Sequence, residues 1–184
     1  MKLPEDEIER RVLEAAKTVG LSEDTLDKAP FDLSGGRKRR VAIAGVMAMQ
    51  PDLLVLDEPA AGLDPEGRKK VFDAIDRYRT ERGATVIIVS HSMDDMAVWC
   101  DRLVILSEGR VAGTGTAREI FGDPGLIRSS GLDLPQVGVL ADLLEDRGLK
   151  LSGTVTTVPE AVSAISELFL SRGVTPTAKG GGAG

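Results

Sequence analysis

Four consecutive aliphatic residues, Leu53-Leu54-Val55-Leu56, run directly into Asp57-Glu58-Pro59. A short unbroken apolar run of this kind suits a strand covered on both faces, as in a parallel sheet. Two adjacent carboxylates at the C-terminal end of such a strand are costly to desolvate unless they act on something, and that end of an open α/β sheet is where ligands bind.

The surrounding pattern predicts an α/β order. A helix is expected over residues 5 to 19, opened by Pro4 and three acids, with Ile8, Val12, Ala15, Ala16 and Val19 on one face and Gly20 closing it. A second helix is expected from the Ser34-Gly35-Gly36 turn through Met49, stopped by Pro51. After the acidic strand come a helix over residues 66 to 81 and a second apolar strand, Thr85 to Val89. Strand, helix and strand in that order give a parallel pair.

A short helix from Ser92 to Cys100 then leads to a hairpin, Leu103 to Leu106 and Arg110 to Ala112 around Glu108-Gly109. The remainder reads as helices over residues 116 to 121, 135 to 147 and 158 to 172, the last with Thr157 and Glu160 at capping-box spacing and Gly173 as its stop. Lys179 to Gly184 is glycine-rich and expected to be disordered. The apolar sets Val137-Leu140-Leu144 and Val162-Ile165-Leu168-Phe169 must bury against something, either the core or another copy.

The chemistry suggested by these residues is phosphate chemistry. In nucleotide hydrolases, a carboxylate at the place of Asp57 orients the water shell of Mg²⁺, and one at the place of Glu58 polarises the water that attacks the γ-phosphate. The alternative is that Asp57 caps the next turn and Glu58 is solvated. Ser34-Gly35-Gly36 opens a helix, whose N-terminal N–H groups make an anion site, although alone it also fits an ordinary flexible turn. His91, the sole histidine, follows the second strand. It is either structural or placed to meet the same phosphate as Glu58, since parallel strands bring their C-terminal ends together.

Composition narrows the classes. A net charge of −6 argues against a nucleic-acid surface, Arg37-Lys38-Arg39-Arg40 being the one basic run, which reads as solvated or interfacial. Cys100 is the only cysteine, which excludes a disulfide framework or a cysteine metal site and fits a reducing compartment. No stretch approaches the roughly 20 apolar residues of a membrane span.

In this order, Leu33-Ser34-Gly35-Gly36, Leu53 to Glu58, Gly62-Leu63-Asp64 and His91 resemble the signature, Walker B, D-loop and switch histidine of ATP-binding-cassette (ABC) ATPases. Phe31 to Gly36, with Arg39-Arg40 and Val41 to Met49, looks most like the ATPase subunits of energy-coupling factor transporters, which import vitamins and transition-metal ions. The resemblance implies a partial P-loop NTPase fold of parallel strands with flanking helices. A helical subdomain with the signature (residues 1–50) would precede the C-terminal half of the ATPase core (51–115), a mostly helical extension (116–176) and a tail (177–184).

It implies ATP and Mg²⁺ as ligands, with Ser34, Gly35 and Gly36 touching the ATP of a partner subunit. Glu58 and His91 would serve the nucleotide of their own subunit, Asp57 would hold Mg²⁺ through water, and Asp64 would cross the dimer interface. The implied partners are a second ABC ATPase subunit, identical or different, a transmembrane coupling protein and a substrate-binding membrane protein, with no nucleic acid. The implied location is peripheral, on the cytoplasmic face of the membrane.

The departures from the family pattern are specific. Arg37 stands where Gln is common and Ala60 where Thr or Ser is common. The phosphate loop Gly-x-x-x-x-Gly-Lys-Ser/Thr is absent, no Gly-Lys dipeptide occurring in the sequence. The expectation is therefore a chain whose Met1 is an artificial or internal start, inactive by itself, with exposed sheet edges. A second reading is a short regulator that donates its signature face to a full-length ABC ATPase. A third, an ATPase of the superfamily acting on DNA or ribosomes, would need a coiled coil or duplicated cassette that the sequence lacks.

Overall fold

A computed structural model describes residues 3–172. The chain forms two compact units, Met1–Ser90 and His91–Gly184.

The first unit begins with α1 (Glu5–Thr18), whose first turn carries Glu5, Asp6 and Glu7, where acids complement the helix dipole. Ala15, Ala16 and Val19 are buried, whereas Ile8 and Val12 of the expected apolar face are exposed. Only the C-terminal part of that face reaches the core of the unit. Two 3₁₀ turns, Glu23–Thr25 and Pro30–Asp32, lead to α2 (Gly35–Met47), which packs against α1.

Strand β1 (Leu53–Asp57) pairs in parallel with β2 (Thr85–Val89), and α3 (Pro65–Arg82) forms the crossover. The register sets Leu53 beside Thr85 and Asp57 beside Val89. α3 packs against β2 and contributes Val71, Phe72, Ala74, Ile75 and Tyr78 to the core, the Tyr78 hydroxyl donating to the Pro51 carbonyl at 2.9 Å. Asp64 caps the start of α3, and Gly83, at φ 64°, ends it in the left-handed conformation that glycine adopts without a steric penalty.

The apolar run in β1 predicts burial on both faces, and the structure shows burial on one. Leu54 and Leu56 are buried, but Leu53 is 53% exposed, Val55 58%, Ile87 48% and Val89 54%. The cause is topological: side chains alternate along a strand, the sheet of this unit has two strands, and the unit's described residues leave its other face open.

The second unit opens with α4 (Met93–Trp99), capped by Ser92, followed by the antiparallel hairpin β3 (Leu103–Ser107) and β4 (Arg110–Gly115). Glu108 and Gly109 both have positive φ, 50° and 73°, as a tight two-residue hairpin turn demands. The register slips by a bulge between Ile105 and Leu106.

Then come α5 (Ala117–Phe121), α6 (Pro124–Ser129), α7 (Gln136–Glu145) and α8 (Val158–Ser171). α6 is an element the sequence reading passed over, although Asp123 caps it and Pro124 occupies its first position. α7 and α8 share a small core of Val137, Leu151, Val155, Ala161 and Ala164, with Leu144, Ile165 and Leu168 packed on it. Leu140, Val162 and Phe169 of the expected apolar sets stay exposed. Thr157 and Glu160 form the expected capping box, with the Glu160 carboxylate accepting from the Thr157 N–H at 3.2 Å. Gly173 and the Lys179 to Gly184 tail lie outside the described residues. Among the described residues no helix is long and apolar enough to cross a membrane.

Candidate functional site

The site residues of the first unit gather where β1 and β2 end. The parallel register carries past Asp57 and Val89: the Glu58 N–H donates to the Val89 carbonyl at 2.8 Å. Glu58 then turns the chain off the sheet at φ 47°, a left-handed conformation that costs a side-chain-bearing residue free energy and is met at sites where geometry matters. Its carboxylate Oε2 accepts from the Ser90 hydroxyl at 3.2 Å, and its carbonyl accepts from the Ala61 N–H at 3.2 Å.

The turn is gripped from another element. Arg39, in the second turn of α2, donates through Nε to the Pro59 carbonyl at 3.0 Å and through Nη2 to the Glu58 carbonyl. The next residue, Arg40, donates to the carbonyls of Val19 at 3.1 Å and Gly20 at 2.8 Å, satisfying groups at the end of α1. Two of the four residues of the basic run are thus engaged inside the fold, contrary to the solvated or interfacial expectation. Arg37 and Lys38 are exposed.

Ser34 is the N-cap of α2: its hydroxyl accepts from the Arg37 N–H at 3.4 Å, and its carbonyl accepts from the Lys38 N–H at 2.9 Å. The N–H groups of Gly35 and Gly36, in the first turn of a 13-residue helix, have no intrahelical acceptor by geometry. Ser34 and Gly35 are exposed, and a Cβ on Gly35 would meet nothing within 4 Å. This is a surface a phosphate fits.

A Cβ on Gly36 would come 3.5 Å from Leu63 Cδ2, so the Gly62-Leu63-Asp64 turn lies against the start of α2. Asp64 is exposed and caps α3, its Oδ1 accepting from the Gly67 N–H at 3.0 Å. Asp57 is exposed, on the uncovered face of the sheet. Among the described residues no three His, Cys, Asp or Glu side chains converge as a metal centre, so the carboxylates here fit Mg²⁺ only as part of a shell completed by other ligands. His91 is exposed and opens the second unit.

The first unit thus brings together Ser34, Gly35, Gly36, Asp57, Glu58 and Asp64. Sequence reasoning missed Arg39, Ser90 and Gly67. Ser90 had a usable signal, since the residue after β2 must lie beside the residue after β1 in a parallel pair. Arg39 had none, because its partners lie 19 and 20 residues away.

The family model of the ABC transporter matches residues 2–61. The energy-coupling factor transporter ATP-binding protein EcfA2 of Geobacillus kaustophilus is 46% identical over 168 residues, 91% of this chain and 58% of that protein. Among solved structures, cbiO1 from Clostridium perfringens, part of the ABC transporter complex cbiONQ, matches at 44% identity and a TM-score of 0.62, over 77% of this chain and 56% of that one. A bacterial ABC transporter cassette solved as a dimer matches at 30% identity and a TM-score of 0.57, over 64% of this chain and 50% of that one.

The fold and these matches are those of an ABC transporter ATPase domain. Its curated relatives are energy-coupling factor transporter ATP-binding proteins named EcfA2, and the chain spans 58% of the length of the Geobacillus relative.

Proposed function

We propose that the chain is the signature-bearing and carboxylate-bearing part of an ATPase that energises import of a micronutrient, a vitamin or transition-metal ion, through an energy-coupling factor transporter. The observation that supports this best is the junction at the end of β1, where Glu58 is hydrogen bonded to Val89 and Ser90 and gripped by a residue of the helix that Ser34 opens.

In this reading Glu58 accepts a hydrogen bond from a water whose oxygen bonds to the γ-phosphorus of ATP as the bridging P–O bond breaks, giving ADP and phosphate. Mg²⁺, held in part through water by Asp57, supplies charge neutralisation on the phosphates. His91 donates to the γ-phosphate of the same nucleotide, and Asp64 faces the partner subunit. Ser34, Gly35 and Gly36 offer N–H and hydroxyl donors to the nucleotide of a second ABC ATPase, identical or different, which supplies a phosphate loop opposite them. The remaining partners are a transmembrane coupling protein and a substrate-binding membrane protein, and the place of action is the cytoplasmic face of the membrane. The functional divisions are residues 1–50, 51–115 and 116–176, as the motifs divide the chain.

The test measures ATP hydrolysis by this chain alone and fused behind a phosphate-loop segment of the Geobacillus relative. No hydrolysis is expected alone. The fusion should hydrolyse ATP, and Glu58→Gln should lower kcat by about 10²-fold or more. A fusion that binds ATP but is indifferent to Glu58→Gln would overturn the role of that carboxylate. Robust hydrolysis by the chain alone would overturn the need for a phosphate loop.

A further inference from the structure

We propose that Arg39 is a positioning residue for Glu58, holding the carboxylate-bearing turn in its left-handed conformation and linking it to the helix that carries Ser34, Gly35 and Gly36. The inference rests on the hydrolytic role given above to Glu58, and its geometric half stands apart from that role.

Glu58 leaves β1 at φ 47°. A glutamate in that region costs free energy relative to an extended one, and it persists only where neighbours over-determine it. The backbone partners of the turn fix it on the sheet side: the Glu58 N–H on Val89 and the Ala61 N–H on the Glu58 carbonyl. Arg39 adds anchors from α2, one guanidinium spanning two successive carbonyls, Glu58 through Nη2 and Pro59 through Nε. The φ and ψ of Glu58 then lie between an N–H held on Val89 and a carbonyl held by Arg39, while the fork itself fixes the rotation about the Pro59 Cα–C bond that separates its two acceptors. Pro59 is buried and Arg39 half-buried, which keeps water from replacing these bonds.

The other end of Arg39 is α2. Its N-cap is Ser34, and Arg39 stands just over one turn along from it. A displacement of the start of α2 by a ligand on its first N–H groups therefore reaches the Glu58 carbonyl through one side chain. In the proposed enzyme those N–H groups face the partner's nucleotide while Glu58 faces its own. Arg39 then makes the set of Glu58 depend on whether the opposite site is filled.

The experiment compares Arg39→Met and Arg39→Lys with wild type and with Arg40→Met, which removes a neighbouring anchor of the same helix. The first readout is the backbone chemical shifts and the HN–Hα coupling of Glu58 in this chain, which report its φ. The second is kcat and KM for ATP in the phosphate-loop fusion. Arg39→Met is expected to move the Glu58 signals away from left-handed values and to lower kcat about 10-fold to 100-fold with KM within about 2-fold. Arg39→Lys, which reaches one carbonyl but not both, should fall between, and Arg40→Met should leave the Glu58 signals in place. If Arg39→Met does not fold, Arg39→Lys decides by the same two readouts.

Wild-type Glu58 signals in the Arg39 variants would overturn the inference. So would an unchanged kcat in a fusion where Glu58→Gln still abolishes hydrolysis. Indifference to Glu58→Gln would instead remove the hydrolytic reading, leaving the shift of the Glu58 signals to decide the positioning claim.

Discussion

The Gly67 N–H donates to Asp64 Oδ1 at 3.0 Å, and a Cβ on Gly67 would sit 2.6 Å from that same oxygen. The cap of α3 therefore depends on two residues, one supplying the acceptor and the other supplying no side chain. Asp64→Ala should cost about 1 kcal/mol, the usual worth of such a cap. Gly67→Ala should change stability by less, because the gain of about 0.5–1 kcal/mol from replacing a helical glycine offsets the displaced cap. The double variant should be less destabilised than the sum of the two singles, by about 1 kcal/mol, in denaturant unfolding. Additivity would show that Asp64 does not cap α3 in solution.

The open face of the β1–β2 sheet predicts a solubility effect without a stability effect. Val55→Thr and Ile87→Thr each replace an exposed apolar side chain with a β-branched polar one. Unfolding free energy should change by less than about 0.5 kcal/mol per site, as for exposed positions generally. Binding of the dye ANS and sedimentable aggregate should both fall. Phe72→Ala, at a residue 1% exposed in the same unit, should instead cost about 3–5 kcal/mol.

Glu160 gives the second unit a dependence on acid. Burial pushes its carboxyl up, but hydrogen bonds from the Thr156 N–H and hydroxyl, the charge of Arg118 and the Thr157 N–H together bring it below the ordinary value of 4.5. A depressed folded pKa contributes stability that is present above the unfolded value and lost as pH falls through the folded one. The stability of α8 should therefore decline as pH drops below about 4.5, and Glu160→Gln should flatten that decline in amide-exchange measurements on α8.

Cys100 should react slowly. Burial pushes its thiol up, and the nearby charges of Asp101 and Asp95 push the same way, so less thiolate is present at neutral pH than for a free cysteine. Alkylation by iodoacetamide at pH 8 should run several-fold slower than that of glutathione. Denaturant should restore the ordinary rate.

The sequence made the periodic and capped elements legible. Ser34 as the start of a helix and Glu108-Gly109 as a hairpin turn follow from local chemistry, and each stands where the residue type puts it. The parallel pairing of β1 with β2 was legible from strand, helix and strand in sequence. Two things were not. The apolar run Leu53 to Leu56 states that both faces want cover, yet Leu53 and Val55 find none among the described residues of their unit, because a run of side chains does not say how many layers the sheet beside it has. Arg39 and Arg40 look like any charged run on a helix, since carbonyl acceptors 19 to 21 residues away leave no trace in local composition.

Arg39 and Arg40 are also neighbours on α2, and successive residues of an α-helix project about 100° apart around its axis. One grips the turn after β1 and the other the end of α1. A rod tethered along two such directions cannot roll about its axis without releasing one tether, so the two guanidinium groups fix the rotational setting of α2 and with it the direction in which Ser34 and the first N–H groups face.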